Sequence, residues 1–116
     1  MSVERRGLKG LRLPRHVADA LEGFISRAAR ELGDVEVYLF GSYARGDWLR
    51  DSDLDLIVVS RRFKGMDVGE RYRVVRSLLP DSISVEILAY TPEEFRRARE
   101  RSVIIRDAAE YWIRLA

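Results

Sequence analysis

Gly41-Ser42-Tyr43-Ala44-Arg45-Gly46, followed after a short polar stretch by Asp53-Leu54-Asp55, decides how the rest of the chain is read. The residues before it, Val35-Glu36-Val37-Tyr38-Leu39-Phe40, are β-branched and aromatic, which predicts a strand that stops at Gly41. Ser42 then opens a short helix. Backbone N–H groups at such a start have no partner within the helix and favour a phosphate. Gly41 lets the backbone approach closely, and the Ser42 hydroxyl can donate to a phosphate oxygen. Asp51 and Ser52 mark a turn. Leu54 to Val59 is an almost continuous apolar run, the pattern of a strand covered on both faces. Asp53 and Asp55 share one face of that strand, with Cα atoms roughly 6.5 Å apart, while Leu54 points the other way into the core. Two adjacent carboxylates repel unless a cation lies between them, so the pair argues for Mg²⁺ or Mn²⁺.

Ile83 to Tyr90 alternates and is β-rich, predicting a third strand. It carries Glu86 between Val85, Ile87 and Leu88, an acid that solvation alone explains poorly and a candidate third carboxylate. Further out, Pro14 suits a first helical turn, and Val17, Ala20, Leu21, Phe24, Ile25, Ala28 and Leu32 recur at helical spacing up to Gly33. A second helix is predicted from Asp67 to Leu79, with Val68, Tyr72, Val75, Leu78 and Leu79 on one face and Pro80 as its stop. Thr91-Pro92-Glu93-Glu94 is a helix start with a capping threonine and Glu94 three residues on. The remainder reads as helical, broken near Ser102, with Val103, Ile104, Ala108, Tyr111, Trp112 and Leu115 apolar. Residues 1–13 read as a loosely held basic arm, and residues 14–116 as one domain. The order α-β-β-α-β-α predicts an α/β (α+β) fold: a small mixed sheet with helices packed on it.

The chain has 116 residues, the size of a single core. No apolar run approaches the ~20 residues of a membrane helix, and the N-terminus lacks the apolar segment of a secretory signal. Cysteine is absent, which excludes disulfides, thiolate nucleophiles and cysteine-ligated metals. One histidine, His16, excludes schemes that need two. Of 21 basic residues only Lys9 and Lys64 are lysine, and Asn and Gln do not occur. Missing amides with dense Arg and Glu point to a thermophile. The net charge of +2 is too small to argue for nucleic acid.

Gly41-Ser42, ten residues, then Asp53-x-Asp55 resembles the signature of the minimal nucleotidyltransferases, members of the DNA-polymerase-β-like superfamily. Tyr43-Ala44-Arg45-Gly46 and Thr91-Pro92-Glu93-Glu94-Phe95 extend the likeness over nearly the whole chain. The resemblance implies a palm-like sheet and transfer of a nucleoside monophosphate, AMP from ATP, to an acceptor hydroxyl. Gly41, Ser42 and Arg45 would hold the triphosphate, and Asp53, Asp55 and Glu86 the metals. One metal would make the acceptor hydroxyl more acidic and the other would neutralise the pyrophosphate. Glu86 departs from the aspartate usual in the family. Larger relatives carry further domains for template or acceptor, and a chain of this size has no room for them. The resemblance therefore implies a cytoplasmic antitoxin that modifies an all-helical HEPN-domain protein. Nucleic acid is not expected as its direct substrate, nor a membrane as its partner, and self-association is compatible with the reading. The rival classes are a non-catalytic antitoxin that neutralises the HEPN protein by complexation alone, and a nucleotidyltransferase acting on a small molecule.

Plainer roles compete for individual residues. Gly41 and Gly46 are half of a P-loop, but Asp47-Trp48 stand where Lys and Ser/Thr are required. Arg45 either contacts phosphate or pairs with Asp47 or Asp51. His16 reads as a surface residue and Trp48 as a core or partner contact. Tyr111 and Trp112 read as core or interface, and Arg96, Arg97, Arg99 and Arg101 as a solvated helix face.

Overall fold

The computed structural model describes residues 11–116, and within them the two predicted neighbouring strands form the centre of the sheet. Strand β1 (Val35–Phe40) runs antiparallel to β2 (Leu54–Ser60), with Leu39 opposite Leu56 and Phe40 opposite Asp55. Strand β3 (Val85–Tyr90) lies parallel to β2 on its other side, with Glu86 opposite Asp55. A two-residue strand, β4 (Ile113–Arg114), closes the far edge against β1, giving the order β3-β2-β1-β4. The sheet is mixed, as the sequence predicts.

Alternation along β1 and β2 divides the interior in two. Val37, Leu39, Leu54, Leu56 and Val58 face helix α1 (Arg15–Leu32), whose Val17, Leu21, Phe24 and Ala28 are buried against them. Phe63, Val75, Leu78, Leu79 and Ile83 complete that layer. Tyr38, Ile57 and Val59 turn to the opposite face, where Phe95 and Ile105 cover them from helices α4 (Pro92–Arg101) and α5 (Val103–Ala108). Two covered faces account for a central strand that is apolar at nearly every position.

Helix α2 (Gly41–Arg45) is the short helix expected after β1, and α3 (Val68–Arg76) links β2 to β3. Helix α3 stops three residues before the predicted Leu79, and turn bonds from Leu78 N–H to the Val75 carbonyl and Leu79 N–H to the Arg76 carbonyl replace its last turn. Leu78 and Leu79 sit in the core beyond those bonds, whereas Val68 and Tyr72, nearer the start of the helix, are exposed, against their expected place on the apolar face. The C-terminal stretch also departs from the reading as helix. It turns at Ala109–Tyr111 and pairs as β4, because Ile113 and Leu115 alternate with Arg114 and meet β1 as a strand does. The arm assigned to residues 1–13 lies mostly outside the described residues. Of it, Leu11 and Leu13 pack on the core, and the Arg12 carbonyl accepts the Trp48 indole N–H at 3.1 Å.

Thr91 and Glu94 form the predicted capping box at the start of α4. Glu94 has a second task. Its carboxylate accepts from both terminal nitrogens of Arg71, whose Nε and Nη1 also donate to the Met66 and Ala89 carbonyls. One guanidinium thus joins α3, β3 and α4. The hydrogen bonds from Arg71 hold the Glu94 carboxyl down at about 2, against an ordinary 4.5. A folded-state value below the unfolded one contributes stability that is full above about 4.5 and is lost as pH falls toward about 2. Because a third of the Glu94 side chain is exposed, we expect Glu94→Gln to cost only about 1–2 kcal/mol at pH 7. Denaturant unfolding should show that gap narrowing with acid, and equal stabilities at pH 7 would refute the role.

Candidate active site

The end of β1 and the start of β2 meet at Gly41 and Asp55. Gly41 has φ +76°, a conformation that side chains disfavour, and this lets the chain turn from strand directly into α2. The reason no other residue fits is also spatial. A Cβ placed on Gly41 would lie 2.0 Å from Asp55 Oδ2. The glycine backbone therefore rests against the carboxylate that the sequence marks as a candidate metal ligand. Gly46, at φ +86°, ends α2, and its N–H bonds the Ser42 carbonyl at 2.9 Å. Tyr43 is buried beneath the turn, where its ring stacks on Trp48 with centroids 5.6 Å apart. Trp48 is thus a packing residue.

Leu54 is fully buried and fixes the strand between the two aspartates. Asp53 and Asp55 emerge on the opposite side, the face that Ile57 and Val59 share. Asp53 is exposed and accepts a hydrogen bond from the Ser84 hydroxyl. Asp55 is half-buried. Burial pushes its carboxyl up to about 6, helped by the charges of Glu86 and then Asp53, while Arg45 alone acts in the other direction. Glu86 lies on the face of β3 that Leu88 and Tyr90 share and stands in register with Asp55. The structure therefore brings all three carboxylates to one end and one face of the sheet. Among the described residues, no three His, Cys, Asp or Glu side chains are already gathered as ligands of one ion.

Arg45 pairs with Asp47, its Nε 3.2 Å from Oδ2, which is one of its two expected roles. It also reaches a residue that the sequence does not place here. The Tyr111 hydroxyl accepts from Arg45 Nη1 at 3.2 Å and from the Gly41 N–H at 3.3 Å. Tyr111 comes from the turn before β4, so only the alternation of Ile113, Arg114 and Leu115 signals its position. His16 is exposed, as expected, and lines a cleft with Arg50, Ser52, Asp53, Ser82 and Ser84. Arg96, Arg97, Arg99 and Arg101 are all exposed, as expected of a solvated face, and the Arg99 guanidinium stands over Trp112, 5.5 Å from the ring centroid. No helix among the described residues is long and apolar enough to cross a membrane.

Known proteins are similar to this chain in sequence and fold. The family described as nucleotidyltransferase domain matches residues 21–112. A relative from Methanocaldococcus jannaschii, named as a candidate protein adenylyltransferase, is 32% identical over 65 residues. That match covers 54% of this chain and 44% of the relative, so the chain spans less than half of the relative's length. A solved structure from Sulfolobus solfataricus, described as a candidate nucleotidyltransferase, is 26% identical with a TM-score of 0.53, over 74% of this chain and 82% of that one. A second solved structure so described shares the fold, with a TM-score of 0.57 at 21% identity over 83% of this chain and 97% of that one.

Proposed function

The chain belongs to the nucleotidyltransferase domain family, and from that premise we propose that it transfers AMP from ATP to a hydroxyl group of a partner protein. The observation that carries this reading is the contact between Gly41 and Asp55. A phosphate held at the Gly41–Arg45 turn lies beside a carboxylate of the metal-binding type, so donor and catalyst share one site. In this reading the Ser42 hydroxyl and the backbone N–H groups of the turn orient the triphosphate, with Arg45 at the rim. Asp53, Asp55 and Glu86 would hold Mg²⁺ or Mn²⁺. The donor set fits such an ion: it offers carboxylate oxygens only, and it carries negative charge that Arg45 offsets in part. A bound divalent ion supplies charge neutralisation to the triphosphate and acidity to the attacking hydroxyl. The chain's own part is to align that hydroxyl with the α-phosphorus and leave pyrophosphate free to depart.

The acceptor we propose is a HEPN-domain protein encoded beside this chain, which makes the chain an antitoxin. The relative named as a candidate protein adenylyltransferase supports a protein acceptor. Incubation with α-labelled ATP, Mg²⁺ and the neighbouring gene product tests the proposal. Label on the neighbour supports it. A stable complex without label favours neutralisation by binding alone.

Glu86 offers a sharper check within the site. Glu86→Gln should lose transfer almost as fully as the aspartate variants, while Glu86→Asp should keep a substantial part because a carboxylate remains in register with Asp55. Since Glu86 is exposed, neither change should move the thermal midpoint by more than a degree or two. Full activity in Glu86→Gln would remove Glu86 from the ligand set.

A further inference from the structure

Tyr111 takes no part in the chemistry above, yet it consumes two donors that the chemistry needs. Its hydroxyl oxygen accepts from the Gly41 N–H at 3.3 Å and from Arg45 at 3.2 Å, and the Arg45 guanidinium also stands 5.3 Å from the centre of its ring. Strand register sets this position. Ile113 pairs with Leu39 and Arg114 with Tyr38, so continuing the same antiparallel ladder brings residue 111 opposite residue 41. The backbone there is anchored. The Trp112 N–H bonds the Ala108 carbonyl at 2.7 Å, and the Trp112 ring packs on Tyr38 and Phe95, with centroids 4.6 and 5.7 Å away. Displacement of the phenol would therefore have to come from rotation of its side chain about this fixed backbone.

A phenol oxygen and a phosphate oxygen compete for the same N–H and guanidinium donors. The anion forms bonds roughly twice as strong, so it wins, but part of its binding energy goes to evicting the phenol. We propose that Tyr111 is a specificity-determining residue that occupies the phosphate seat formed by Gly41 and Arg45 and yields it to the polyphosphate of a nucleotide. The inference rests on the reading of the Gly41–Arg45 turn as the nucleotide's phosphate site. Its consequence is selective. Tyr111 weakens ligands that use the seat and leaves untouched those that do not.

Tyr111→Phe tests this directly, because it keeps the ring over which Arg45 lies and removes only the competing oxygen. Calorimetry on the full chain would compare ATP, pyrophosphate and adenosine, each with Mg²⁺. ATP and pyrophosphate should bind about three- to tenfold more tightly to Tyr111→Phe than to the parent, the scale of one ordinary hydrogen bond, and adenosine should be unchanged. Tyr111→Leu should shift affinities in the same direction, which guards against an effect peculiar to phenylalanine. A tyrosine that merely steadied the turn would give the opposite sign, with ATP and pyrophosphate weakened. Unchanged or weaker binding of those two, or equal tightening of adenosine, overturns the proposal while parental ATP binding leaves the transferase reading standing. Absence of ATP binding in parent and variants alike overturns the transferase reading and this inference with it.

Discussion

Asp55→Asn is expected to give a chain that folds better than its parent and transfers far less nucleotide. The folded-state carboxyl sits at about 6, above its ordinary 3.8, because burial and the charges of Glu86 and Asp53 all disfavour its ionised form. A raised folded-state value means that the ionised group opposes folding at pH 7, and that stability rises as pH falls from about 6 toward 4. A shift of this size has a ceiling near 3 kcal/mol, and partial exposure reduces it to about 1 kcal/mol. The asparagine variant should therefore unfold some 4–8 °C higher in the absence of metal, with a flatter pH profile between about 4 and 6. In the proposed metal role, losing this carboxylate should lower transfer activity by roughly 10²–10⁴-fold, since a metal ligand supplies several kcal/mol of transition-state stabilisation. Asp53→Asn should lose activity equally, though without the gain in stability, because Asp53 is exposed and bonded to Ser84. Thermal melts with chelator and label-transfer assays measure the two halves separately. A folded Asp55→Asn chain of near-normal activity would end the metal assignment.

The second large effect belongs to Gly41. Alanine there meets two obstacles, the left-handed φ of +76° and the Asp55 carboxylate, whose Oδ2 and Cγ would lie 2.0 and 2.8 Å from the new methyl. Backbone strain costs roughly 1–2 kcal/mol, and relieving the overlap requires displacing the carboxylate. Gly41→Ala should destabilise the chain by about 2–4 kcal/mol and remove activity as fully as the aspartate variants. Gly46→Ala is the matched control. It has a similar φ of +86° but open space around the new atom, so it should cost about 1–2 kcal/mol and leave transfer intact. Calorimetric melts and initial rates on the two variants decide the matter. If Gly41→Ala and Gly46→Ala behave alike, the contact with Asp55 is incidental.

Much of this architecture is legible from residue order because its causes are local. The apolar run from Leu54, the punctuation at Gly41 and Gly46, and the capping box at Thr91 each act within a few residues. The alternation that predicts Glu86 on the same side as Ser84 and Leu88 is local too, and the parallel register places that side beside Asp55. Tyr111 is legible only as core or interface, since its place depends on a two-residue strand pairing with one more than seventy positions earlier. The exposure of Val68 and Tyr72 is not legible for a related reason. Helical spacing identifies a face but not where along the helix its neighbour ends.

Strands β1 and β2, with the helix between them, occupy one unbroken segment of the chain, from Val35 to Ser60. Within it the loop from Asp47 to Asp53 is tied down by the Tyr43–Trp48 stack and by reciprocal bonds between Leu49 and Ser52. The segment behaves as a cassette, with every spacing that matters to Gly41, Ser42, Asp53 and Asp55 internal to it. Residues added at the exposed Lys64–Gly65 turn, between the buried Phe63 and helix α3, would lengthen only the route by which β3 arrives, and the ladder of β3 on β2 would still deliver Glu86 to its place. The fold thus separates the length of the polypeptide from the dimensions of its chemistry, leaving the crossover free to acquire new surface without retuning the cassette.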